Sequence, residues 1–147
     1  MGYSDVFYNE GYFDLIIAQT LGHEYNPGTQ GADAYEYING EKKSTEYKTI
    51  KKNENGYKGK SFQFHWLSEN KMKKLEQCEN FYFVWRDELK IEKVIKVPRS
   101  QLWKDLEKQA VPCQGKKATN CHKSFSAKKI EQLLKDGKAH EINFTQK

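Results

Sequence analysis

An Asn39-Gly40 dipeptide between two alternating stretches constrains this chain more than any other feature. Asn-Gly favours positive φ at both central positions of a two-residue turn, the geometry that closes antiparallel hairpins. The flanking segments, roughly Ala32 to Tyr37 and Ser44 to Lys51, then read as paired strands. Pairing them brings Asp33 beside Glu46. Residues two apart in a strand share a face, so Glu46 and Lys48 project together. Two carboxylates and an ammonium converge on one small volume. That chemistry can hold a hard divalent cation through oxygen and set a water beside it. The same residues also fit a plainer arrangement, an exposed Glu46–Lys48 ion pair with Asp33 as a turn residue.

The 147 residues suffice for one domain with a real core. Charged residues make up 31 %, but aromatics reach 14 %, too many for a disordered chain. The longest apolar run, Leu15 to Ala18, is far shorter than a membrane span, and no signal-peptide pattern opens the sequence. A soluble protein without membrane attachment, in the cytoplasm, is the expectation. Twenty-five Lys and Arg against 20 Asp and Glu leave a net charge of +5, which suits a polyanionic partner without requiring one. Lys42, Lys43, Lys48, Lys51, Lys52, Lys58 and Lys60 are expected to crowd around this site, and a second basic group runs from Lys116 to Lys129. Cys78, Cys113 and Cys121 form no CxxC pair. A zinc site from Cys113, Cys121 and His122 would need adjacent ligands and lacks a fourth, so reduced thiols are expected.

At the start of the chain the pattern predicts a helix capped by Ser4 or Asp5 and ending near Leu21, with Gly22 where helices stop. After the hairpin comes a polar loop, Lys52 to Lys60. Phe62, Phe64 and Trp66 then alternate with Gln63 and His65 as a strand. Ser68 caps a helix through Met72 and Leu75 to Glu79. Phe81 to Trp85, apolar on both faces, reads as a central strand, followed by a turn at Asp87-Glu88 and a strand from Leu89 to Val97. A short helix from Ser100, a long loop from Pro112 to Ser124, a helix capped by Ser126, and an edge strand from Glu141 to Thr145 complete the order. One α/β domain spanning 1–147, a central mixed sheet flanked by helices, accommodates this succession.

With Asp33 on the first hairpin strand, Glu46-Tyr47-Lys48 on the second and an αβββαβ order over roughly Tyr12 to Val97, the chain resembles the PD-(D/E)xK nuclease superfamily. Within it, the chain is similar to compact type II restriction endonucleases. Gly31-Ala32-Asp33-Ala34 lacks the proline of the family's first motif. The resemblance implies a restriction-endonuclease-like core and a homodimer that cuts double-stranded DNA at a short palindrome, leaving 5′-phosphates. It implies Mg²⁺ held by Asp33, Glu46 and the backbone carbonyl of Tyr47, with Lys48 orienting the attacking water. A cognate DNA methyltransferase would belong to the same system, though not as a bound subunit.

Further site candidates follow from position. Glu10 is a possible accessory acid, with Asp14 one turn on along the same helix face. Gln63 and His65 point away from the apolar set, towards a DNA groove in this reading, where Gln suits adenine and His can donate. Asn53, Asn55, Lys58 and Lys60 follow the catalytic strand, and Asn120, His122 and Lys123 occupy the second basic loop; both groups are candidate DNA contacts. A repair or phage nuclease with the same core, and a non-catalytic basic DNA-binding module, are the alternatives.

Overall fold

A computed structural model describes residues 10–28, 31–114 and 121–144. It is a single α/β domain of three layers. Helix α1 (Glu10–Leu21) leads into the short strand β1 (Glu24–Tyr25) and the hairpin of β2 (Ala34–Ile38) and β3 (Glu41–Lys51). Strand β4 (Ser61–Phe64) and helix α2 (Glu69–Glu76) carry the chain over to β5 (Cys78–Asp87), which turns into β6 (Lys90–Pro98). Helix α3 (Trp103–Ala110), strand β7 (Lys123–Ser126), helix α4 (Ala127–Lys135) and strand β8 (His140–Glu141) follow. Among the described residues, no helix is long and apolar enough to cross a membrane.

Six strands form one sheet in the order β1-β2-β3-β5-β6-β8. Only β3 and β5 run parallel; the other neighbours are antiparallel. Two residues join β2 to β3, and Asn39 (φ 53°) and Gly40 (φ 82°) both take the left-handed conformation that the dipeptide predicts. A parallel pair needs a crossover long enough to return to the same end. Here β4 and α2 supply it.

Strand β5 is central and buried on both faces, as its unbroken apolar run predicts. Phe81, Phe83 and Trp85 face one core, closed by Met72 and Leu75 of α2, Leu106 of α3 and Ile130 of α4. Tyr82 and Val84 face the other, closed by Phe13, Ile17 and Ala18 of α1.

Several expectations shift. Strand β4 lies outside the main sheet and pairs as a two-stranded ribbon with β7, which begins at Lys123 inside the segment read as a long loop and ends at Ser126 beyond it. Phe62, Phe64 and Phe125 lay the ribbon's apolar side on the first core. The alternation ends at Phe64, and Trp66 turns outward. Helix α2 stops at Glu76, because Cys78 already pairs with Ser44. The helix expected from Ser100 starts at Trp103, after a 3-10 turn over Arg99–Gln101. The edge strand β8 falls slightly earlier than predicted, against Ile95 and Lys96 of β6. Ser68 and Ser126 cap α2 and α4 as expected, accepting the backbone N–H groups of Lys71 and Lys129. The proposed caps Ser4 and Asp5 lie outside the described residues.

The cysteine expectation is overturned. Cys113 and Cys121 form a disulfide, and only Cys78 is a free thiol, buried at the start of β5. Zinc binds thiolates, which oxidised sulfurs no longer offer, so the Cys113–Cys121–His122 zinc site is excluded in this state.

Candidate active site

The hairpin sets the acids. Asp33 immediately precedes β2, and its N–H donates to the Thr45 carbonyl at 3.2 Å. The buried Thr45 hydroxyl donates to the Ala34 carbonyl at 3.1 Å and pins the two strands at that point. Asp33 Oδ2 then accepts the Tyr47 N–H at 2.8 Å, so its carboxylate reaches across to the strand that carries Glu46. Glu46 and Lys48 project from β3 towards the first core, opposite Phe81 and Phe83 in the parallel register. The Lys48 ammonium lies 3.1 Å from Glu46 Oε2 and 4.5 Å from the centre of the Phe64 ring.

A second ammonium closes the cluster. Lys71 Nζ of α2 hydrogen-bonds the same Glu46 oxygen at 3.2 Å. Nothing in its own triplet marks Lys71, and the sequence reading passed over it. The signal was helical spacing: Lys71 sits four residues before buried Leu75 and three after the Ser68 cap, on the edge of the face that α2 turns inward.

The two carboxyls respond oppositely to these surroundings. Burial, then the charge of Glu46, pushes the Asp33 pKa up to about 7, against the opposing pull of the Tyr47 N–H, Lys48 and Lys71. Burial is also the largest influence on Glu46 and would raise its pKa. The charges and hydrogen bonds of Lys48 and Lys71 outweigh it and hold Glu46 below the usual carboxylate range. The Cys78 thiol is pushed up by burial and by both acids, and so stays protonated.

The opposite face of the hairpin is braced by polar contacts that the sequence did not reveal. Glu36 of β2 is buried and accepts hydrogen bonds from the Tyr82 hydroxyl at 2.7 Å and the Asn80 amide at 3.4 Å. These links span β3, tying β2 to β5 beneath the acids. The Tyr47 hydroxyl lies 2.6 Å from His23 Nδ1, and the His23 ring stacks on Tyr82 at 4.8 Å. Burial and then Lys96 lower the His23 pKa to about 4, so the ring is neutral at pH 7.

The DNA-contact candidates divide. Gln63 lies on the β4–β7 ribbon, with His65 and His122 just beyond its paired residues, whereas Lys123 pairs opposite Phe64 and lies 5.3 Å over the Phe125 ring, on the ribbon's apolar side. Gln63 accepts the Ser124 hydroxyl at 2.5 Å, and the exposed His65 and His122 rings lie 6.4 Å apart. Phe64 links this surface to Lys48. Asn53 and Asn55 sit elsewhere, in a tight turn closed by a bridge from Asn53 to Gly56. Asn53 lies five residues beyond Lys48, about 16 Å along an extended strand. Lys58 and Lys60 line a separate cleft of about 510 Å³ beside the start of α4, with Tyr57 and Lys128. Asn120 lies outside the described residues. Glu10 begins α1, but its side chain falls outside the described set.

Among the described residues, no three His, Cys, Asp or Glu side chains gather into a metal cluster. A cation bound here would rest on two carboxylates and need a backbone ligand, for which the Tyr47 carbonyl is the candidate. The donor set fits a hard ion on one observation: burial, and after it the charge of Glu46, lifts the Asp33 pKa to about 7, and a cation shared by the two acids would offset both influences. No protein-family model and no curated protein matches this chain.

Proposed function

We propose that this protein is a Mg²⁺-dependent endodeoxyribonuclease of the type II restriction kind, hydrolysing phosphodiesters in double-stranded DNA as a cytoplasmic homodimer. The observation that carries the reading is the convergence of Asp33, Glu46 and Lys48 from adjacent strands, with Asp33 hydrogen-bonded to the backbone between the other two. Asp33, Glu46 and the Tyr47 carbonyl would hold Mg²⁺, which when bound makes water more acidic and offsets phosphate charge.

The chain's own groups do the rest. Lys48 is steadied between Glu46 and the Phe64 ring, with its ammonium available to orient the attacking water and neutralise charge growing on the phosphate. Lys71 serves as an internal counter-cation that keeps Glu46 ionised before any metal arrives. Asp33, partly protonated at pH 7 without a cation, would lose that proton to solvent in order to act as a ligand. Hydrolysis leaves a 5′-phosphate and a 3′-hydroxyl.

One fact favours a second reading, a non-catalytic DNA-binding module. Glu46 already has two ammonium partners and would be satisfied as a structural counter-ion. Incubation of the purified protein with plasmid and Mg²⁺, followed by sequencing of the ends, separates the possibilities. Discrete fragments sharing one terminal sequence support the restriction reading. Cutting of branched or single-stranded DNA alone points to a repair or phage nuclease, and binding without turnover points to the module.

A further inference from the structure

We propose that Trp66 is a rigidly presented stacking surface for a nucleobase of the substrate, on the turn between Phe64, which touches Lys48, and the helix that carries Lys71 to Glu46; this rests on the nuclease reading. Strand alternation would turn Trp66 inward with Phe62 and Phe64. Its backbone instead adopts φ 56°, a strained conformation for a bulky side chain, and the ring is 62 % exposed. An indole is among the largest apolar surfaces a chain can bury, so this arrangement forgoes burial and accepts strain together.

The turn is not a loose end. Leu67 is fully buried, its N–H donates to the Cys121 carbonyl at 2.9 Å, and its carbonyl accepts the Gln114 amide at 3.3 Å. The Cys113–Cys121 disulfide joins the segments that hold it. The Ser68 N–H returns to the Trp66 carbonyl at 2.7 Å.

Position and charge identify the occupant. Phe64, two residues before, touches Lys48; Lys71, five after, touches Glu46. Exposed His65 and His122 flank the turn on the ribbon. A flat aromatic face on a turn that carries two imidazoles and joins two elements of a phosphodiester-cleaving centre matches a polymer that presents phosphates and π-faces together.

The test uses the full chain with a mixed-sequence duplex and its separated single strand, in Ca²⁺ so that nothing is cut. DNA should quench tryptophan fluorescence in the wild type and in Trp103→Phe, and the quenching should vanish in Trp66→Phe. Trp66→Ala should bind about 5- to 100-fold more weakly. The slope of log affinity against log salt should stay the same, because stacking releases no counterions. Wild-type affinity in Trp66→Ala would overturn the inference alone. So would a dimer that becomes a monomer in Trp66→Ala by sedimentation, since the ring would then be buried between copies. Failure of the wild type to bind either DNA would overturn the nuclease reading and the inference together.

Discussion

Asp33 and Glu46 lie on adjacent strands of one hairpin with pKa values displaced in opposite directions, and that asymmetry has measurable consequences. Asp33 has its folded pKa raised from 3.8 to about 7. Its contribution to stability is therefore full below pH 4 and is lost as pH rises through 7. Asp33→Asn keeps an acceptor for the Tyr47 N–H and removes the titration. Without metal, it should be more stable than wild type by roughly 2 kcal/mol at pH 8, with the gap closing below pH 4. Denaturant unfolding at both pH values checks this, and a pH-independent gap would contradict it. Lys71 gives a second expectation. Lys71→Gln removes a cation that competes for Glu46, so calorimetry should show Mg²⁺ binding tightened by roughly three- to tenfold, while any cleavage slows. Unchanged metal affinity would mean that Lys71 is only a structural partner. Asp33, Glu46 and Lys48 were legible in the sequence because strand periodicity has only two faces. Lys71 was not, since its role depends on where a crossover helix lands on the sheet.

At the scale of elements, the hairpin, the central strand and the helix caps were legible because each has a local cause. Asn39-Gly40 sets a turn, an unbroken apolar run marks a strand buried on both faces, and Ser68 and Ser126 satisfy helix N–H groups. The β4–β7 ribbon was not legible. Its strands lie about 60 residues apart, and four-residue strands carry too few alternations to reveal a partner. The disulfide was missed for a related reason. Cys121 follows Cys113 by eight positions with no CxxC spacing, and the cytoplasmic expectation argued for free thiols, whereas disulfides persist where the surroundings are oxidising. Reducing it should cost about 2–3 kcal/mol, the cross-linking value for so short a loop. The loss should appear first around Leu67, whose N–H is held by Cys121. Hydrogen exchange with and without reductant checks this; unchanged protection at Leu67 would separate the disulfide from the turn.

At the scale of the molecule, the three layers explain why the acids stand where they do. Helix α1 and the Glu36–Tyr82 brace support the hairpin from one side, while α2 and the ribbon bring Lys71 and Phe64 to the other. The class of fold was legible from the order of elements. The depth of the site was not, because it depends on which segments cover the sheet. That cover turns an acid pair on a strand into a partly enclosed centre able to perturb its own protonation. We propose that this centre hydrolyses DNA. Its most direct test is the rate of plasmid cleavage in Mg²⁺ by wild type, Asp33→Ala and Lys48→Ala, with DNA binding measured alongside in Ca²⁺. Wild type should cut, and both variants should lose at least about a hundredfold in rate, roughly 2.7 kcal/mol of barrier, while still binding DNA. Cleavage that survives in either variant, or a wild type that binds and never cuts, would contradict the account.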